Sequence, residues 1–232
     1  LLGAYAPVLA IETTGDYDRL GQPRVDAQAR PSVDTSRPVL FGRVAWTRYH
    51  GQTLVQLVYT GWFPERPGDG VFDIFDGALD GIVWRATLAP GGEPLVYDAI
   101  HPCGCYHMFF PTPRAAARPG PGGTEEWMFA PQDLPRIAEG ERPLVRIATG
   151  THYIERVAVV RGTDSLARYE ILPYGELRSL MRLSGGRASA FGPDGLVPAT
   201  ERRERFLFWP MGIDSAGAMR QWGRQATAFV GR

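Results

Sequence analysis

Val39-Leu-Phe-Gly-Arg-Val-Ala-Trp-Thr-Arg-Tyr-His50, followed after Gly51-Gln52 by Thr53-Leu-Val-Gln-Leu-Val-Tyr-Thr-Gly-Trp-Phe63, decides the fold class. Both runs are rich in Val, Leu, Tyr, Trp and Thr, residue types that fit a pleated, half-buried surface. The short glycine-containing break between them predicts a β-hairpin. A second hairpin is expected from Gly81 to Ala89 and Pro94 to His101, which flank Pro90-Gly91-Gly92.

Outward from these pairs the signal stays β. Ala4 to Glu12 is apolar and β-prone, whereas residues 13–38 read as irregular, polar chain. Pro64 to Asp80 reads as a long loop, and 111–124 as an exposed Pro/Gly-rich loop. Further strands are expected in Glu126 to Ala130, Leu144 to Thr149, His152 to Val160, Leu166 to Pro173 and Arg205 to Trp209. Gly175 to Leu183 reads as a short helix. Residues 214–230 read as an amphipathic helix, because Met219, Trp222, Ala226 and Phe229 recur at spacings of three and four. No linker or internal repeat divides the chain. The reading is one mainly β domain over 1–232, an antiparallel sandwich or barrel with long loops and a C-terminal helix.

Composition narrows the function classes. The 25 basic residues, all arginine, balance 25 acidic ones, so nothing favours nucleic acid as a partner. The absence of lysine removes Schiff-base and P-loop chemistry. It accompanies an absence of asparagine, and both fit a GC-rich genome. No apolar run is long enough to span a membrane. The first residue is Leu1 rather than Met, which predicts a processed or trimmed chain and leans towards an exported or periplasmic location over a cytoplasmic one.

The chemistry concentrates in His101-Pro-Cys-Gly-Cys-Tyr-His107, which holds both cysteines and two of the four histidines. Thiolate and imidazole are the ligands of zinc, copper and iron. His101, Cys103, Cys105 and His107 share one parity and so would face one side of a regular strand. Such a strand spaces them about 6.6–6.8 Å apart, too far to close on one ion with bonds of roughly 2.0–2.3 Å. A single site therefore needs a bend at Pro102 and Gly104, two or three of the four as ligands, and a distant partner, for which His152 is the best placed. The leading expectation is a transition-metal protein, extending to a metalloenzyme acting on a small molecule.

Two alternatives stay open. The pair Cys103 and Cys105 can instead act without metal, as a Cys-x-Cys redox couple or as a Cys–His nucleophile with Asp98 or Glu155 orienting a histidine. Alternatively, the aromatic content fits a non-enzymatic carbohydrate- or partner-binding module. Asp16 and Asp18 echo the start of a calcium loop, but the third acidic position is Leu20, so a polar turn is expected there. Asp73, Asp76 and Asp80 are read as solvated turn residues. Glu125 and Glu126 are adjacent and would point to opposite faces of a strand, so they cannot flank one glycosidic bond.

Overall fold

The computed structural model describes residues 1–28, 30–70, 72–116, 129–162, 169–182 and 184–223. The strands run in chain order as β1 (Val8–Ile11), β2 (Gln22–Val25), β3 (Pro31–Asp34), β4 (Val39–Tyr49), β5 (Gln52–Arg66), β6 (Gly77–Leu88) and β7 (Pro94–Ile100). Then come β8 (Met108–Pro111), β9 (Glu141–Ile147), β10 (Ile154–Arg161), β11 (Glu170–Pro173), β12 (Leu180–Met181) and β13 (Arg187–Ala188).

Six strands in the order β11-β4-β5-β6-β7-β8 form the main sheet, and β1-β9-β10 form a smaller one. The fold is mainly β, and neither sheet closes into a barrel. The expected hairpins are present. His50 (φ 47°) and Gly51 (φ 76°) both adopt left-handed backbone between β4 and β5, the geometry whose twist matches a two-residue hairpin turn.

One face of the main sheet carries Leu57, Tyr59, Phe63, Trp84, Tyr97 and Phe110, all buried. They share a single core with Leu9, Val145, Ile147 and Val157 of the small sheet, so the two sheets pack as a sandwich. Each such buried aliphatic or Phe side chain contributes roughly 1.5–3 kcal/mol, which is why the strand pattern prevails over the many glycines. At one end of the opposite face, Val39, Phe41, Trp62 and Leu79 make a second core beneath Tyr174, Leu177, Leu180 and Met219.

Several expectations are corrected. Residues 13–38 contain a hairpin, with Gln22 opposite Asp34 and Val25 opposite Pro31. The loop between β5 and β6 is shorter than Pro64 to Asp80, because pairing extends from Phe63↔Asp80 to Arg66↔Gly77. The sheets are not wholly antiparallel: β1 runs parallel to β9 and β11 parallel to β4. Arg205 to Trp209 is helical, with an α-turn at Arg205–Phe208 and a 3-10 turn at Trp209–Met211. Its apolar residues are exposed and make no ladder; Trp209 and Phe206 are 62% and 60% exposed.

The stretch read as a helix from Gly175 is instead a 3-10 turn over Tyr174–Arg178 followed by the short strand β12, and residue 183 lies outside the described residues. The helix expected over 214–230 is absent from 214–223, where only a 3-10 turn at Gln221–Gly223 occurs and Trp222 has φ 68°; residues 224–230 lie outside the described residues. The loop at 111–124 begins as β8 ends, and 117–124 lie outside the described residues, as do 126–128 of the strand expected at Glu126 to Ala130 and 166–168 of that at Leu166 to Pro173.

Candidate functional site

The segment His101–His107 is the connection between β7 and β8, and its turn geometry sorts its side chains. The amide of Gly104 donates to His101 O at 2.8 Å, and that of His101 donates to Cys105 O at 3.0 Å. Gly104 (φ 89°) and Tyr106 (φ 56°) both take left-handed backbone. Glycine does so freely and tyrosine at a cost. Pro102 is seated on Gly81, where a methyl group would lie 2.9 Å from Pro102 Cγ and 2.5 Å from Gly61 O. The amide of Arg220 donates to Pro102 O at 2.9 Å, fastening the turn from the other side.

β7 and β8 pair with Ala99 opposite Met108 and Tyr97 opposite Phe110. Odd-numbered residues of β7 therefore share a face with even-numbered residues of β8. His101 continues the face of Ala99, and His107 falls on the opposite one. The shared parity of the four residues thus does not put them together. The bend gathers His101, Cys103 and Cys105 into one cleft and sends His107 away.

Behind the cleft stands a buried row of acids and imidazoles. Asp80 is opposite Phe63 in the sheet and faces the sandwich core. Its Oδ2 lies 2.8 Å from His152 Nδ1, and its Oδ1 lies 3.5 Å from His101 Nδ1. His152 stacks on Phe63 with ring centroids 4.0 Å apart. Its Nε2 lies 3.4 Å from Asp18 Oδ1. Asp18 in turn accepts from the Gly150 amide at 2.7 Å, the Thr149 hydroxyl at 2.7 Å and the Thr14 amide at 2.9 Å. Burial works to raise the pKa of Asp80, but its two histidines outweigh it and hold the carboxyl well below the usual carboxylate range. Burial pulls His101 down, and the charge and hydrogen bonding of Asp80 prevail, so its pKa is raised.

Cys103 and Cys105 both line the cleft and hydrogen-bond to each other. This bond, with burial, pushes the Cys103 pKa up. The same bond lowers that of Cys105 against the opposing effects of burial and Glu204. Glu204 Oε1 sits 3.9 Å from Cys105 Sγ, and burial raises the Glu204 pKa. Neither cysteine is in a disulfide. The cleft they line with His101, Arg66, Arg202 and Glu204 has a volume of about 20 Å³, room for about one water molecule. Two of the residues that line it each carry a buried nitrogen with no hydrogen-bond partner among the described residues, His101 Nε2 and Arg202 Nη1.

His107 belongs to another group on the far face. Its Nε2 lies 2.8 Å from Asp98 Oδ2 and 2.9 Å from Arg85 Nη2, while Arg85 Nε donates to Asp98 at 2.6 Å. Asp98 also borders a groove of about 530 Å³ lined by Gln56, Thr87, Tyr49 and Phe109.

Of the five residues expected to hold a metal, His101, Cys103 and Cys105 border one cleft, His152 stands behind them through Asp80, and His107 does not take part. Among the described residues, no group of three or more His, Cys, Asp or Glu is placed to hold a metal ion. Sequence reasoning missed Asp80 and Asp18, read there as turn residues, and gave Glu204 no role. Asp80 carried one usable signal: it directly precedes the Gly81 to Ala89 run and lies within β6, where pairing with β5 turns it inward. No family model, curated protein or solved structure matches this chain.

Proposed function

We propose that this β domain is a thiol-redox protein whose working group is Cys103 and Cys105, cycling between dithiol and disulfide. The observation that carries the reading is the tight turn at 101–105, which sets the two thiols against each other in a solvent-reachable cleft beside His101. In the oxidised form the two sulfurs are joined, and two protons and two electrons have left. A bridge between residues two apart closes a small strained ring, which belongs with labile and catalytic disulfides rather than structural ones. Cys105 is the more thiolate-like partner and Cys103 holds its proton, an asymmetry suited to a nucleophile and a resolving thiol.

The test is alkylation after equilibration in glutathione buffers of graded potential, read by intact mass. Both cysteines are expected to become protected together and to reopen on reduction, with Cys105 alkylated first. Thiols that stay fully alkylatable in the most oxidising buffer sink the reading. The metal reading competes on the strength of His101 Nε2, a buried nitrogen without a partner in the same cleft. Elemental analysis of protein purified without added metal separates the two: about one equivalent of zinc, copper or iron, lost in Cys103→Ser/Cys105→Ser, replaces redox cycling with metal binding.

A further inference from the structure

We propose that the oxidant taken by the thiol pair is a small hydroperoxide, bound in the cleft between Cys105 and the buried donors His101 Nε2 and Arg202 Nη1; this rests on the thiol-redox reading and names its substrate class. Two independent features converge. The first is size. A cleft of about 20 Å³ seats a molecule of one or two heavy atoms beside the thiols more readily than a bulky one.

The second is the donor set. His101 and Arg202 both line this cleft and are 4% and 5% exposed, yet each keeps a buried nitrogen without a partner among the described residues. A buried donor left unsatisfied destabilises the fold, and a ligand oxygen removes that cost. His101 is held for the task, since its other nitrogen faces Asp80 Oδ1 at 3.5 Å. Arg202 is tethered to the Leu79 carbonyl through Nη2, which fixes where Nη1 sits.

The reaction balances with groups already in place. Glu204, 3.9 Å from Cys105 Sγ, takes the Cys105 proton. The sulfur attacks one peroxide oxygen, the S–O bond forms and the O–O bond breaks. The departing hydroxide takes a proton from His101 Nε2 and leaves as water, while Arg202 stabilises the charge as it develops. The proton on Glu204 returns to His101 by way of the cleft. Cys103 then attacks the sulfenic sulfur; the S–S bond forms, the S–O bond breaks and the Cys103 proton leaves with the oxygen as a second water. In sum, dithiol and hydrogen peroxide give disulfide and two waters, and an organic hydroperoxide gives disulfide, one water and the corresponding alcohol.

The experiment follows oxidation of the reduced full chain by hydrogen peroxide, by cumene hydroperoxide and by glutathione disulfide, using quenched alkylation and mass spectrometry. Hydrogen peroxide is expected to form the Cys103–Cys105 disulfide at least about tenfold faster than it oxidises free cysteine at the same pH. The bulkier hydroperoxide should be slower by a similar factor. Arg202→Gln should slow the peroxide reaction by about a hundredfold. Wild-type protein alone suffices to decide if that variant does not fold. Peroxide no faster than with free cysteine, in a chain that still forms its disulfide in glutathione buffer, overturns this inference and leaves the redox reading standing. A chain that forms no disulfide by either route overturns both.

Discussion

The two ends of one seven-residue segment meet different fates. At its start, His101 enters a buried row with Asp80, His152 and Asp18, closed off from water on the sandwich side. At its end, His107 joins Arg85 and Asp98 on the far face, where the Arg85 and His107 side chains are each 18% exposed. Both places pair a histidine with an aspartate, at 3.5 Å for His101 and 2.8 Å for His107. They differ in what surrounds the pair. Asp80 has two imidazoles within 3.5 Å and feels Arg66 only at longer range. Asp98 has a permanent guanidinium in direct contact.

That difference predicts the largest separation between variants. Asp80→Asn should cost about 3–5 kcal/mol of folding stability, because it strips a buried pair of histidines of their shared counter-charge. Asp98→Asn should cost about 1–3 kcal/mol, since Arg85 and His107 can turn to water. Urea unfolding of the two variants checks the order; equal losses would erase the distinction.

The same contrast gives a pH signature. The pKa of His101 is raised above 6.5 in the folded chain. Its contribution is therefore complete below about pH 6.5 and is lost as pH rises through the folded value. Asp80 lies below 3.8 when folded, so its contribution is complete above about pH 4 and is lost as pH falls through that lower value. Stability should peak between these limits. The alkaline decline in Tm should flatten in His101→Gln and persist in His107→Gln. A decline of unchanged slope in His101→Gln removes the imidazole from the account.

The turn between the two regions is the next place to press. Gly104 at φ 89° keeps the thiols adjacent and reverses the chain so that His107 lands on the far face. Gly104→Ala should cost about 1–2 kcal/mol from left-handed strain. It should also slow disulfide formation in glutathione buffer, because the same turn sets the thiol spacing. Loss of stability with an unchanged thiol equilibrium would mean that the turn serves the fold alone.

Legibility in the sequence followed the range of the interactions. The β4–β5 and β6–β7 hairpins are local and could be read from alternation and turn residues. The parallel pairing of β1 with β9 joins Val8 to Leu144, and nothing within either stretch announces it. Arg205–Phe208 was misread because a short apolar run has no period of its own to distinguish strand from helix. In the site, cysteine and histidine stood out by rarity. Asp80 did not, since an aspartate amid glycines reads as a turn until a partner strand fixes which way it points. Parity misled for a related reason: alternation holds within a strand and is reset by the register of every hairpin it enters.

The smallest effect is the most direct test of that last point. His107→Gln keeps a side-chain amide able to meet Asp98, on a face that shares no cleft with the thiols. It should cost about 1 kcal/mol or less. It should leave the glutathione equilibrium, the peroxide rate and the order of alkylation of Cys105 and Cys103 as in the wild type. His101→Gln, by contrast, removes the imidazole that faces the cleft and should slow the peroxide reaction. The two substitutions are chemically identical and stand six residues apart, so any difference between them reports on the face each occupies. A matching loss of thiol reactivity in His107→Gln would mean that the far-face group feeds the cleft, and the two regions would have to be treated as one site.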